Sequence, residues 1–468
     1  MSEVESQFSV LRRTADPAVV AAIEEVIAHG SDRDLARINP LAFATRRGLD
    51  VEKVIAAFLH GSRLGLFEMQ WNVLCPGCSG VLGANASLKS IHQDIYNCQL
   101  CGTGHEPTLD ELVDVNFTVS ERVRRIGAHH PETLPPVEYV RQVFWSTGAD
   151  LPDDLEERMD NFTLEYLELP AGEKAVLSVT LPEGHLVIFD PVSHAAHFLD
   201  VKGEPTRERR TLTIVYNKLA APTGMIELAP GPMRITFENQ TDMRTLPSIW
   251  VYGPELAAIL GRRRPFLTAK RILSNQTFRD LYRTDALDID QRLKILSLTF
   301  LFTDLKGSTE LYERTGDLTA YDLVRSHFHV LHEIVAEEGG AVVKTIGDAV
   351  MATFVTPDRA VAAALRMRDG MARLNDERGH EDLLLKIGIH EGPCLAVNLN
   401  DRQDYFGQTV NIAARVQNLA VDRSIFATEP VVENPATSAL LAKAELVPKP
   451  QQVSLKGVSD RVKIYEIP

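Results

Sequence analysis

The chain has no apolar run approaching the roughly 18 residues that a membrane-crossing helix needs. Its first residues, MSEVESQFSV, are acidic and lack the basic and apolar regions of a signal peptide. These two absences lead to the expectation of a soluble cytoplasmic protein without a membrane partner. Basic residues are outnumbered, 49 Lys and Arg against 64 Asp and Glu, and the net charge of −15 argues against a general nucleic-acid binder. Internal repeats and low-complexity segments are absent as well. Cysteine is scarce: there are five in 468 residues.

What remains is ordinarily globular, 44% hydrophobic and 24% charged. A chain of 468 residues is too long for one core, so two to four domains are expected. The texture predicts a multidomain α+β protein. Residues 1–70 read as helical: Val19, Val20, Ile23, Val26 and Ile27 lie at helical spacing, and a further helix runs from Val51 to about His60, ending in Gly61. Helices leading into a strand resemble a winged helix, but Val51 to His60 carries a single Lys, against a DNA-reading role.

Residues 71–128 hold four of the five cysteines. Cys75-Pro-Gly-Cys78, nineteen residues, then Cys98-Gln-Leu-Cys101 offers two pairs of thiolates, each able to reach one ion from a tight turn. Zinc is the default metal, and four sulfurs leave no open position, so one structural Zn²⁺ is expected; a redox or metal sensor is the alternative. The segment resembles a zinc ribbon, with His105 close to the second knuckle and not needed as a ligand. Cys394 stands alone in a predicted strand and reads as a small core residue.

Residues 129–161 are expected to be a helical, acidic connector. From 162 to 252 short runs such as AVLSVTL, HLVIFDP, RRTLTIVYN and PMRITFEN alternate with Pro, Gly and Asn signals, predicting a β-sandwich-like or jelly-roll domain, for which a sensory role is expected from its position in the chain alone. His185, His194 and His197 within it have no trusted metal spacing. Residues 253–295 read as a linker carrying a basic patch of Arg262, Arg263, Arg264, Lys270 and Arg271.

The last part, 296–468, carries chemistry. An apolar run from Leu296 to Phe302 predicts a buried strand, followed by Thr303-Asp304-Leu305-Lys306-Gly307-Ser308-Thr309. A strand-end carboxylate beside small residues suits a metal–polyphosphate site; it equally caps a helix or a turn. A second carboxylate changes the balance. VVKTIGDAVMATF predicts a hairpin with Gly347-Asp348 at its tip, which would bring Asp348 to the sheet edge of Asp304. Two carboxylates there would bridge a pair of divalent ions.

Four ordered blocks, FLFTDLKGST, VVKTIGDAVMATF, DYFGQTVNIAARV and VSLKGVSDRVKIYEI, resemble the catalytic domain of the class III adenylyl and guanylyl cyclases over about 170 of 468 residues. The resemblance implies a ferredoxin-like βαββαβ sheet with helices on one face. It implies that Asp304 and Asp348 hold two Mg²⁺ or Mn²⁺ ions per active site, and that the backbone of Leu305, Lys306, Gly307 and Ser308 cradles phosphate. Lys344 and Asp404 fall at the family's base-selecting positions. A Lys donates to adenine N1 and an Asp accepts from N6, whereas guanine reverses both edges and would leave two polar groups opposed, at roughly 1–3 kcal/mol each. Asn411 and Arg415, four apart on a predicted helix, take the family's transition-state roles, and Lys456 its terminal-phosphate role. Ala349 follows Asp348 where the family often has Gly.

In the family the two residue sets come from different subunits, so a head-to-tail homodimer is implied. The sequence thus predicts an adenylate cyclase making cyclic AMP and pyrophosphate from ATP, regulated by its N-terminal domains. Alternatives are a guanylate or dual-specificity cyclase, a catalytically silent ATP-binding dimerisation module, and DNA binding through the zinc ribbon.

Overall fold

The structure is a computed structural model describing residues 3–92, 94–217, 224–282, 287, 291–306, 313–314, 316–399, 402–420, 423–458 and 460–468. Contacts divide the chain into two compact units. The first comprises Met1–Ala86, Gln93–Pro107 and Glu111–Leu267; the second comprises Ser87–His92, Thr108–Asp110 and Thr268–Pro468. The second unit therefore starts before 296 and takes in two short stretches from the N-terminal half. Among the described residues no helix is long and apolar enough to cross a membrane.

In the first unit, helices Pro17–His29, Pro40–Arg47 and Val51–Arg63 start where the sequence places a cap. The Asp16 carboxylate accepts from Ala18 and Val19 N–H, Asn39 Oδ1 from Leu41 and Ala42, and Asp50 from Lys53. The third helix runs past its expected end at Gly61. A Cβ there would sit 3.0 Å from the Phe67 ring, so this glycine permits a close approach rather than a stop. Phe58 projects from this helix into a cluster with Phe43, Phe67 and Phe117. Strand Phe67–Leu74 pairs antiparallel with Val81–Asn85 and Val113–Val119.

The acidic connector is not one helix. Pro131, Pro135, Pro136 and Pro152 break it into the short helices Pro136–Tyr139 and Leu155–Asp160, with one wide turn at Val140–Phe144. Beyond it, strands Thr163–Tyr166, Gly184–Phe189, Ala196–Val201, Met225–Leu228 and Ser248–Val251 form one sheet, and Lys174–Leu181, Arg210–Tyr216 and Gly231–Asn239 a second. Leu186, Ile188, Leu199 and Ile249 of the first share a core with Leu181, Ile214, Ile235 and Phe237 of the second.

The basic run is no free patch. Arg262 pairs with Asp150, Arg263 donates to the carbonyls of Pro76 and Gly77, and Arg264 to Thr147 O. Lys270, in the second unit, pairs with Asp110 at 3.0 Å.

The second unit is built from α1 (Ala269–Leu273), α2 (Gln276–Leu281), β1 (Leu293–Leu305), α3 (Asp317–Glu337), β2 (Ala341–Ile346), β3 (Ala349–Phe354), α4 (Pro357–Arg378), β4 (Leu385–Leu399), β5 (Arg402–Phe406), α5 (Gln408–Leu419), β6 (Ile425–Thr428), α6 (Glu429–Val432), α7 (Pro435–Lys443), β7 (Lys449–Val453) and β8 (Val462–Ile467). Strand order is β2-β3-β1-β4-β6-β8-β7, with β5 also on β4. The first four strands have the ferredoxin-like arrangement, β1 in the middle between β3 and β4.

Helices α3 and α4 cover one face, where Leu323, Leu331 and Met367 pack on Leu301, Val350, Ile387 and Ile389. Helix α5 lies on the other face, which departs from the one-sided cover expected. The departure rests on Gly388, which alternates with Ile387 and Ile389: a Cβ on it would come 2.2 Å from Gln417 N of α5. Val416 and Ala420 close a separate small core with Phe426, Leu455 and Ile464.

Candidate active site

Asp304 is the penultimate residue of β1, facing Lys386 of β4 in register. On the other side Thr303 pairs with Val350 of β3, and its Oγ1 accepts from Val350 N at 3.2 Å. The β2–β3 turn passes through Gly347 at φ 64, a left-handed conformation glycine adopts freely, and so delivers Asp348 next to the end of β1. Burial raises the Asp304 carboxyl above its usual range, the charge of Asp348 raises it further, and Lys386, 3.8 Å away, opposes both. Asp348 Oδ2 is buried without a protein partner among the described residues. Two carboxylates that repel each other, one with an unmatched oxygen, form a donor set suited to hard divalent cations. Lys306 N donates to Leu384 O at 2.9 Å, so this N–H belongs to the sheet and not to a phosphate cradle. Gly307 and Ser308 lie outside the described residues.

Lys344 of β2 and Asp404 of β5 form a hydrogen-bonded ion pair. The carboxylate side chain is only 11% exposed, and its second oxygen accepts from Tyr405 N at 2.8 Å. The two strands that carry the pair are held by α2, a feature the sequence reading missed. Arg279 Nη2 donates to Val343 O at 3.3 Å and Gln403 O at 2.8 Å, the residues just before Lys344 and Asp404. Gln276 Oε1 accepts from Val342 N at 2.7 Å. The β2–β3 register shifts between Val342 and Lys344, which leaves the Val343 carbonyl outside the ladder and open to Arg279. Lys386 was missed too; its signal is a lone cation within the apolar run LLLKIGI.

On α5, Asn411 is exposed and Arg415 half-buried, one turn apart on the same face. Gly457, at φ 75, lies against the Arg415 guanidinium: a Cβ there would be 3.5 Å from both Nη1 and Nη2. Lys456, next to it, is exposed. The structure thus joins Asp304 with Asp348, Lys344 with Asp404, and Arg415 with the Lys456–Gly457 turn.

The four cysteines of the first unit converge, with all Sγ atoms within 4.8 Å of one another. Cys78 and Cys98 Sγ are 3.7 Å apart, close to the roughly 3.8 Å edge of a tetrahedron with metal–sulfur bonds of about 2.3 Å. Gly77 is required in the first knuckle, since a Cβ would lie 2.8 Å from Cys101 Sγ. His105 Nε2 is 3.7 Å from Cys75 Sγ and 2.9 Å from Thr103 Oγ1, beside the four sulfurs rather than among them. Cys394 is buried on β4, its thiol pushed up to about 12 by burial.

Residues 1–280 match the family model described as "Family of unknown function (DUF5939)". Residues 292–467 match the "Adenylate and Guanylate cyclase catalytic domain". Among curated relatives, an adenylate cyclase of Anabaena cylindrica is 31% identical over 188 residues, 36% of this chain and 36% of that protein. Adenylate cyclase 2 of Rhizobium meliloti is 34% identical over 218 residues, 44% of this chain and 57% of that protein. The chain therefore spans between about a third and just over half of the length of these two relatives. Among solved structures, the adenylyl cyclase CyaB from P. aeruginosa aligns with a TM-score of 0.35 and 24% identity, over 38% of this chain and 96% of that one.

Proposed function

Because this chain belongs to the family of unknown function (DUF5939) and ends in an adenylate and guanylate cyclase catalytic domain, we propose that it converts ATP to 3′,5′-cyclic AMP and pyrophosphate. The observation that carries the choice of base is the Lys344–Asp404 pair. One side chain only donates and the other only accepts, and each satisfies the other until a base arrives. Adenine exchanges that contact for two complementary ones, N1 accepting from Lys344 and N6 donating to Asp404. Guanine presents a donor to the ammonium and an acceptor to the carboxylate, a mismatch of roughly 1–3 kcal/mol at each group.

Asp304 and Asp348 would hold two divalent cations, Mg²⁺ or Mn²⁺. Such ions acidify the ribose 3′-hydroxyl and neutralise the leaving pyrophosphate. Around them the chain's own groups do the positioning. Asn411 orients the ribose, and Arg415, backed by the Gly457 turn, meets the charge that builds on the α-phosphate. Lys456 neutralises the terminal phosphates. The active form is a homodimer in which two copies complete each other's sites. Large apolar side chains exposed beside the site support this: Ile346 precedes Gly347-Asp348, Phe406 follows Asp404, and Leu419 ends the helix of Asn411 and Arg415. The four-cysteine cluster would hold a structural Zn²⁺, and the first unit would regulate turnover.

The test is substrate competition. Wild type is expected to prefer ATP over GTP by at least tenfold in kcat/KM, and the charge-reversed pair Lys344→Glu with Asp404→Lys to lower or invert that ratio. A ratio that the reversal leaves unchanged removes these residues from base selection.

A further inference from the structure

The first unit contains a cavity of about 340 Å³ that the cyclase reaction does not use. Five arginines line it, Arg33, Arg37, Arg46, Arg141 and Arg264, against the two acids Asp34 and Asp153. Two of the cations are matched at the wall: Arg33 is paired with Glu138, and Arg46 lies 3.9 Å from Asp34. The other three are held by main-chain carbonyls. Arg37 donates to the carbonyls of Val143 and Trp145, Arg141 to those of Pro152 and Asp153 at 3.0 and 3.3 Å, and Arg264 to that of Thr147 at 2.8 Å.

Carbonyls fix the direction of a guanidinium without neutralising it. The buried carboxylate whose charge acts on Arg37 is Asp114, and both its oxygens are already engaged, by Thr147 and by Asn116. Burial lowers Arg37 to about 10 and also lowers Arg264 and Arg141; the neighbouring Arg46 and Arg33 lower these last two further, while Asp150 and Asp114 oppose the shift at Arg264 and Glu138, Asp153 and Asp154 oppose it at Arg141. Arg141 Nε, a donor that lines the same cavity, is buried without a protein partner among the described residues. Arg37 is also held in a left-handed backbone conformation, φ 45, by a bond from its N–H to Thr118 Oγ1 at 3.1 Å, which aims its side chain at the cavity wall. Together these make a concave set of forked donors, five guanidinium groups against two carboxylates in the lining itself, the arrangement that suits a phosphate group.

We propose that this cavity is a binding site for a small phosphate-bearing anion, separate from the nucleotide site of the catalytic domain. A volume of about 340 Å³ falls in the range of small-ligand sites of roughly 300–1,000 Å³ and accepts either a free polyphosphate or the phosphate end of a nucleotide.

Calorimetric titration of the full chain, at fixed ionic strength and without added Mg²⁺, separates these sources. The probes are inorganic pyrophosphate, AMP and, as a non-phosphate anion of similar charge, citrate. Saturable binding of pyrophosphate or AMP near one per chain is expected, at least tenfold tighter than citrate. Tighter AMP identifies a nucleotide phosphate, and tighter pyrophosphate a free one; either result supports the site. Arg141→Gln and Arg264→Gln should each weaken binding about tenfold, with circular dichroism and bound zinc unchanged. Arg46→Gln, whose side chain is 62% exposed at the rim, is the variant safest for folding and should weaken binding about threefold. Citrate binding as tightly as the phosphates, no binding by either phosphate probe, or binding that Arg46→Gln and Arg141→Gln leave intact while Arg415→Ala abolishes it would each overturn the proposal.

Discussion

Arg279 offers the sharpest prediction, because it lies on α2 and bonds the backbone just before both members of the Lys344–Asp404 pair. Replacing it with Ala frees the carbonyls of Val343 and Gln403 and removes the side chain that bonds both. Hydrogen bonds from a charged donor contribute about 1.5–3 kcal/mol each, but both carbonyls gain partial access to water once the side chain is gone. A net loss of about 2–3 kcal/mol in the fixed spacing of β2 and β5 is therefore expected. That spacing sets the distance between Lys344 and Asp404. If half of the loss falls on base recognition, KM for ATP rises about tenfold. The ATP-over-GTP ratio falls with it, while kcat changes less because Asn411 and Arg415 sit on another helix. Arg279→Lys keeps the charge but not the fork and should recover only part. The assay is initial-rate kinetics with both nucleotides, with the melting temperature as a folding control. An unchanged ATP/GTP ratio in a folded Arg279→Ala protein would refute the reasoning, as would a loss confined to kcat.

Gly388→Ala should destabilise the catalytic unit by about 2–4 kcal/mol, since its new Cβ would meet backbone 2.2 Å away rather than a movable side chain; a denaturant midpoint reads this. The isolated protein is expected to carry one zinc per chain by elemental analysis, and Cys98→Ser to lose it together with thermal stability. Burial lowers His390 to about 4, beside Thr428 Oγ1 at 2.7 Å. Above about pH 6.5 the ring is neutral in both folded and unfolded chains. As pH falls from there to 4 the unfolded chain takes up a proton that the folded one refuses, so stability drops by up to about 3 kcal/mol and then levels. Urea titrations from pH 7 to 4 would show this as a falling midpoint, and His390→Gln should remove its share of the fall, leaving the shares of His327 and His194, each also lowered to about 4 by burial.

Much of the catalytic end was legible because its chemistry is local. An aspartate at the end of an apolar strand, a Gly-Asp hairpin tip and two polar residues one helical turn apart can be read from a few neighbours. The four thiols were legible for the same reason, each pair closing its own turn. The unread parts depend on distant contacts. Asp110 accepts from Leu296 N at 2.5 Å and Ser297 N at 3.4 Å across the shifted register of β1, and Gln291 donates to Leu88 and Ile91. No periodicity announces that residues 87–92 and 108–110 join the second unit. Arg279 lies within the stretch read as a linker, where nothing local points to β2 or β5, and the arginines of the cavity come from three separated stretches. The connector failed as a helix for a reason the sequence did contain, its prolines, outweighed there by the pattern of charge.

The central claim is tested most directly by incubating the purified full chain with ATP and Mn²⁺ or Mg²⁺ and measuring cyclic AMP, beside Asp304→Ala. The account predicts cyclic AMP and pyrophosphate in equal amounts from wild type, with at least a hundredfold loss in the variant. Cyclic GMP from GTP as the main product, or cyclic AMP formation that survives the loss of Asp304, would contradict it.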